Sequence, residues 1–126
     1  MKLLLYAMLG GAMGTGARHL INIGVGRWLG PAFPWWTFFV NVAGCFLMGV
    51  VVEMLALRWQ GSPELRTLLA TGILGGFTTF SAFSLDFAAL MQRNEQMHAA
   101  LYLVGSVALS ILALYAGMSL MRWVLT

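Results

Sequence analysis

Apolar positions along this chain gather into four long blocks separated by short polar breaks. Uncharged apolar residues run from Leu3 towards Ile23, interrupted by Arg18 and His19, then from Trp35 to Val52, from Thr67 to Leu85 and from Ala99 to Met121. A helix needs about 20 residues to cross the hydrocarbon of a bilayer, so each block is long enough to span once. The breaks carry turn and polar signals: Gly30-Pro31 with Pro34, then Gln60-Gly61-Ser62-Pro63-Glu64, then Gln92-Arg93-Asn94-Glu95-Gln96. Ser62-Pro63-Glu64 also reads as a helix start, with a capping hydroxyl, Pro at the first position and an acid in the first turn. The pattern predicts an all-α membrane protein of four transmembrane helices, a single domain over residues 1–126 with short loops. No internal repeat or low-complexity segment is evident.

Composition supports this reading. The 126 residues are 60% hydrophobic and 9% charged, where a soluble domain carries roughly a quarter of charged residues. A small soluble domain buries only about two-thirds of the surface its chain exposes, so lipid must supply the remaining cover. A water-soluble enzyme is thereby excluded, and no nucleophile–base pair or metal constellation can be assembled. The net charge of +3 comes from basic residues scattered singly, without the run or stripe that nucleic acid requires. Cys45 stands alone, and His19 and His98 are far apart with no ligand spacing. Lys2 followed by Leu-Leu-Leu-Tyr-Ala-Met-Leu imitates a secretory signal, but three similar spans follow and cleavage would leave an odd number, so it reads as the first span.

Four spans put both termini on one side, together with Lys2, Arg58, Arg66 and Arg122; the other side holds Arg18, Arg27 and Arg93. Orientation follows the Lys/Arg bias between loops, and four against three barely specifies a direction. Either one loop decides, or the chain inserts both ways and pairs with its inverted copy.

Polar side chains inside the spans carry the functional information, because lipid makes them expensive. In the second span Thr37, Asn41, Gly44 and Met48 share a helical face. The Asn41 amide can donate to an anion without the desolvation cost of a buried ammonium, or it can fasten two helices together. In the fourth span Tyr102, Ser106, Ser110, Ala113 and Gly117 recur at steps of four, four, three and four. The hydroxyl half of this stripe can replace successive water contacts of an ion; the small half fits close helix packing. The third span contains Gly75-Gly76-Phe77-Thr78-Thr79-Phe80-Ser81-Ala82-Phe83-Ser84, a poor helix interior. A helix interrupted there frees carbonyls suited to a small hard cation such as Na⁺; the plainer alternative is a Gly72/Gly76 packing face with hydroxyls bonded to the preceding turn. Phe80 and Phe83 are neighbours on the helix, and their positive ring edges can face a small anion or simply pack.

The remaining charges read as membrane-end features. Arg27, Arg58, Arg93 and Arg122 snorkel, and Trp28, Trp35, Trp36, Trp59 and Trp123 form interfacial belts. Glu53 and Asp86 border aqueous vestibules near span ends. Arg18 attracts anions at an entrance or snorkels, and Cys45 acts as a small apolar residue.

Taken together, the chain resembles the Fluc/CrcB family of small fluoride channels over nearly its whole length. The runs that carry the resemblance are Gly10-Gly11-Ala12-Met13-Gly14-Thr15-Gly16-Ala17-Arg18, Thr37-Phe38-Phe39-Val40-Asn41-Val42-Ala43-Gly44, the Gly75–Ser84 segment and Gly105-Ser106. The resemblance implies a passive fluoride channel of a bacterial-type inner membrane, through which cytosolic F⁻ leaks out. It implies a homodimer of oppositely oriented subunits, with the third helix broken at mid-membrane and two pathways along the dimer interface. Asn41 would be the donor, Phe80 and Phe83 the ring-edge contacts, and Ser81, Ser106 and Ser110 a hydroxyl track near Tyr102. Arg18 would line the vestibule, and backbone carbonyls of Gly75 and Thr78 from both subunits would hold a central structural Na⁺. Ala82 stands where the family usually has Thr, and Asp86 where Glu is common. The competing reading is a small four-span, proton-coupled drug exporter of dual topology; coupling needs an intramembrane carboxylate, and the first span has none.

Overall fold

The computed structural model describes residues 1–58, 60 and 62–126. Trp59, expected in the interfacial belt, and Gly61 of the second connection lie outside the described residues. Among the described residues all regular structure is helical. Helix α1 covers Lys2–Leu29 and α2 covers Trp35–Leu57. The third block is composite: α3 (Pro63–Arg66), a π-helical stretch (Thr67–Leu74), α4 (Gly75–Phe77) and, after Thr78 and Thr79, α5 (Phe80–Gln92). Helix α6 covers Gln96–Leu125.

Local chemistry accounts for the boundaries. Gly30 ends α1 at a φ of 78°, a left-handed conformation that glycine adopts without steric cost. Ser62 caps α3 as its sequence context predicts, its Oγ accepting from the Leu65 N–H at 3.3 Å with Pro63 at the first position. Asn94 turns the chain between α5 and α6 at a φ of 59°, which the short polar side chain tolerates.

Among the described residues three helical segments are long and apolar enough to cross a membrane: Trp35–Leu57, Pro63–Gln92 taken end to end, and Gln96–Leu125. Helix α1 has 28 residues, a length of about 42 Å at the usual rise, but its glycines, Arg18 and His19 dilute the apolar run. Side-chain contacts define the ends of the bundle. Lys2 pairs with Glu64 at 3.7 Å, and Arg58 donates to the Leu125 carbonyl at 3.4 Å. Both termini and the α2–α3 connection therefore share one end. At the other, Arg93 donates to the Ala32 carbonyl at 2.9 Å, joining the end of α5 to the α1–α2 turn.

Glycines set the packing. Helix α2 runs along α6, and α1 along the π-helical stretch and α4. A methyl group on Gly10 would stand 2.5 Å from the Leu68 carbonyl oxygen and 2.8 Å from Gly72 Cα. Gly49 and Gly117 meet the partner backbone in the same way between α2 and α6. Such close approach is how helices associate where lipid removes the hydrophobic drive between them. The large side chains buried completely are Tyr102, Leu90 and Val40, whereas Leu20, Leu85 and Trp123 are among many apolar side chains turned outward. An outward apolar surface of this kind is matched to acyl chains or another copy, not to water.

Candidate functional site: the interrupted helix and its groove

The helical winding stops at Thr78 (φ −83°, ψ 159°) and Thr79 (φ −154°, ψ 122°), both extended. The two glycines before them are helical. Three side chains hold this interruption. The Thr78 hydroxyl donates to the Leu74 carbonyl at 3.1 Å, and Thr79 Oγ1 accepts from the Ala82 N–H at 3.2 Å, starting α5 as an N-cap. From α2, Asn41 grips Thr79 reciprocally: Nδ2 donates to the Thr79 carbonyl at 3.0 Å, and Oδ1 accepts the Thr79 N–H at 2.8 Å. Asn41 thus satisfies the Thr79 N–H that the interruption strips of its helical partner, and adds a second donor to a carbonyl that already opens the α5 ladder.

Carbonyls on the preceding turn have divided fates. The Gly76 carbonyl accepts from Arg18 Nε at 3.1 Å, with the Thr15 hydroxyl at 3.5 Å. Gly75 would be served in a regular helix by the Thr79 N–H, which Asn41 takes. Thr78 would be served by the Ala82 N–H, which the Thr79 side chain takes. The two carbonyls expected to coordinate Na⁺ are therefore ones whose helical donors are diverted, and carbonyl oxygen is a hard donor of the type that Na⁺ takes.

Beside the interruption lies a groove of about 220 Å³, lined by Asn41, Cys45, Thr78, Thr79, Phe80, Phe83, Ser106, Val107 and Ser110. Five of the seven residues expected along an ion path meet here: Asn41, Phe80, Phe83, Ser106 and Ser110. Phe80 is 76% exposed and Phe83 is buried, with ring centroids 5.5 Å apart and planes tilted by 42°. Ser106 is buried, yet its hydroxyl makes no hydrogen bond among the described residues. An unpaired hydroxyl in the wall of this largely apolar groove is a group that an entering ligand could satisfy.

Ser81 and Tyr102 stand off the groove. Ser81 is exposed, its hydroxyl 3.3 Å from that of Thr79. Tyr102 backs Phe83 at 5.0 Å between centroids, and its hydroxyl donates to Asp86 Oδ2 at 3.1 Å. Arg18 approaches the interruption from α1, whereas Asn41 approaches from α2. Glu53, expected at a vestibule, is buried between α2 and α6 and receives Arg122 Nη2 at 3.0 Å. Cys45 is half-buried and lines the groove. Sequence reasoning missed the backbone of Thr79 as Asn41's partner; the only local signal was a Thr three residues before Ala82, a spacing shared by many N-caps.

Long apolar helices packed through glycines around a polar-walled interruption define a multi-pass helical membrane protein. The chain belongs to the CrcB family: the family model described as CrcB-like protein, Camphor Resistance (CrcB), matches residues 5–118. It is 57% identical over 122 residues to the fluoride-specific ion channel FluC of Chelativorans sp. (strain BNC1), covering 97% of this chain and 98% of the relative. It is 50% identical over 122 residues to the protein of that name from Rhodospirillum centenum, covering 97% of each chain. The Nitrobacter winogradskyi protein of the same name is 50% identical over 113 residues, covering 90% of each.

Proposed function

We propose that this chain is the subunit of a passive, fluoride-selective channel, in which two copies of opposite orientation enclose the ion paths. The groove beside Thr78 and Thr79 carries the reading, and relatives across the full length are named fluoride-specific ion channels. Fluoride is small and strongly hydrated, so a path must replace the donors that water provides. Asn41 spends one N–H on the Thr79 carbonyl and has a second for the groove. The Ser106 hydroxyl has an unspent proton, and Ser110 extends the polar wall. Phe80 and Phe83 supply positive ring edges without a full charge. Weak neutral donors in series let an ion enter and leave, where a buried cation would trap it.

Phe80 is exposed at the mouth of the groove, so a second copy supplies the missing wall. The near balance of basic residues between the two ends permits that copy to be inverted. Helix α1 is the fourth span, with its Arg18 end facing the vestibule. Ser81 and Tyr102 flank the path, Tyr102 by bracing Phe83. Backbone carbonyls of Gly75 and Thr78 would hold a central Na⁺, which when bound supplies a fixed positive charge between the copies. The setting is a bacterial-type inner membrane, where such a channel lets cytosolic F⁻ run down its gradient. Purified protein in liposomes should release F⁻ much faster than Cl⁻, read with ion-selective electrodes. Equal rates, or no F⁻ release, overturn the reading.

A further inference from the structure

We propose that Arg18 is a positioning residue that decides which carbonyls of the interrupted helix are left for Na⁺, through its Nε–H rather than its charge. This rests on the Na⁺ reading above and goes beyond it. Around the interruption the carbonyls of Leu74, Gly76 and Thr79 accept from Thr78, Arg18 and Asn41 respectively. Those of Gly75 and Thr78 have lost their helical donors to Asn41 and Thr79. The Gly76 carbonyl shares a glycine with the peptide plane that carries the Gly75 carbonyl. Both glycines are helical, so the two planes are held as parts of one turn and move together. Fixing the Gly76 carbonyl therefore restrains its neighbour.

Helix α1 is shaped to make this bond. Gly11, Thr15 and Arg18 lie at steps of four and three, on one face of the helix. That face lies against Gly76, where a methyl group would stand 2.6 Å from the Gly11 carbonyl oxygen and 3.2 Å from Thr15 Oγ1. The missing side chain at Gly76 lets α1 come close enough for the guanidinium to reach, and Nε is the atom that donates. Thr15 adds only a long contact at 3.5 Å.

Glutamine places its amide nitrogen as many bonds from Cα as Arg places Nε, so Arg18→Gln removes the charge and keeps the donor. Arg18→Met keeps the length and removes both. The test titrates Na⁺ against choline at constant ionic strength on the full-length protein in detergent, reading the half-saturating Na⁺ from the rise in melting temperature. Wild type is expected to be stabilised by Na⁺. Arg18→Met should raise the half-saturating concentration about tenfold, the scale of losing a hydrogen bond from a charged donor. Gly76→Ala, which pushes α1 away, should act alike and carries the test if the Met variant does not fold. Arg18→Gln should stay within about threefold of wild type. Unchanged or tighter Na⁺ binding in the Met and Ala variants overturns the proposal, as does a Gln variant as weak as Met, which would make the charge the agent. A wild type without any Na⁺ stabilisation overturns the Na⁺ reading itself, and this proposal with it.

Discussion

Asn41 has two tasks in this structure, and Asn41→Asp separates them. Aspartate keeps an oxygen for the Thr79 N–H, now bonded at 2.8 Å, and exchanges the group that donates to the Thr79 carbonyl at 3.0 Å for a second oxygen. The carbonyl keeps its α5 partner but now faces an oxygen in place of a donor, which costs about 1–3 kcal/mol. The larger effect falls on the ion. An ionised carboxylate about 4 Å from a fluoride in the groove repels it by about 4 kcal/mol at an effective dielectric of 20. Since about 1.4 kcal/mol is a factor of ten in rate, F⁻ efflux should drop about a thousandfold. The assay is fluoride-electrode efflux from vesicles, run beside a thermal melt of the same preparation. Asn41→Leu is the companion: it keeps the branched shape, removes both bonds and leaves the Thr79 N–H unpaired, and should cost about 2–4 kcal/mol of stability. A folded Asp variant whose efflux stays within threefold of wild type would refute the donor role and leave Asn41 as a fastening between α2 and the interrupted helix.

Two further outcomes test the packing that presents the groove. Gly117→Ala would press a methyl group against the Phe46 carbonyl and to 3.0 Å from the Val50 nitrogen; overpacking of this kind costs about 1–3 kcal/mol, so the melting temperature in detergent should fall, and an unchanged melt would mean that α2 and α6 are not in backbone contact. Arg122→Met strands the buried Glu53, now paired at 3.0 Å. Because Arg122 is itself 64% exposed, the loss should be about 1–3 kcal/mol rather than that of a fully buried pair. Adding Glu53→Gln should recover most of it; purely additive losses would count against the pair as a unit.

Much of the fold was legible because membrane helices announce themselves by length. The four apolar blocks, the Ser62 cap and the turns at Gly30 and Asn94 all follow from local rules. So does the inward stripe on α6, where Tyr102, Ser106 and Gly117 are buried in the order that their spacing implies. The site was legible only as a set of residue types. Gly75 and Gly76 drew suspicion for their low helix propensity, yet both stay helical, and Gly76 is needed for the approach of α1. The chain opens instead at Thr78 and Thr79, where hydroxyls bond to backbone and offer an alternative to the helical ladder. No local pattern states that Asn41 meets a residue 38 positions away, or Arg122 one 69 positions away. Those pairings exist only once the helices are packed.

The same pairings bear on how an ion could be driven. Coupled export needs a carboxylate that exchanges its proton with the cargo inside the membrane. The two acids within the apolar bundle are both committed: Glu53 to Arg122, and Asp86 to the Tyr102 hydroxyl. Neither lines the groove. Its walls are an amide, hydroxyls, phenyl rings, a valine and one thiol, and its amide and hydroxyl donors keep the same charge whether or not an ion is present. Arg18, the basic residue nearest the interruption, is turned to the Gly76 carbonyl and is absent from those walls. A path built this way has no carboxylate in its walls on which to store a proton between steps. Under the channel reading proposed above, ion movement through it would follow the ion's own gradient, and selectivity would come from how well fixed neutral donors imitate water around a small anion.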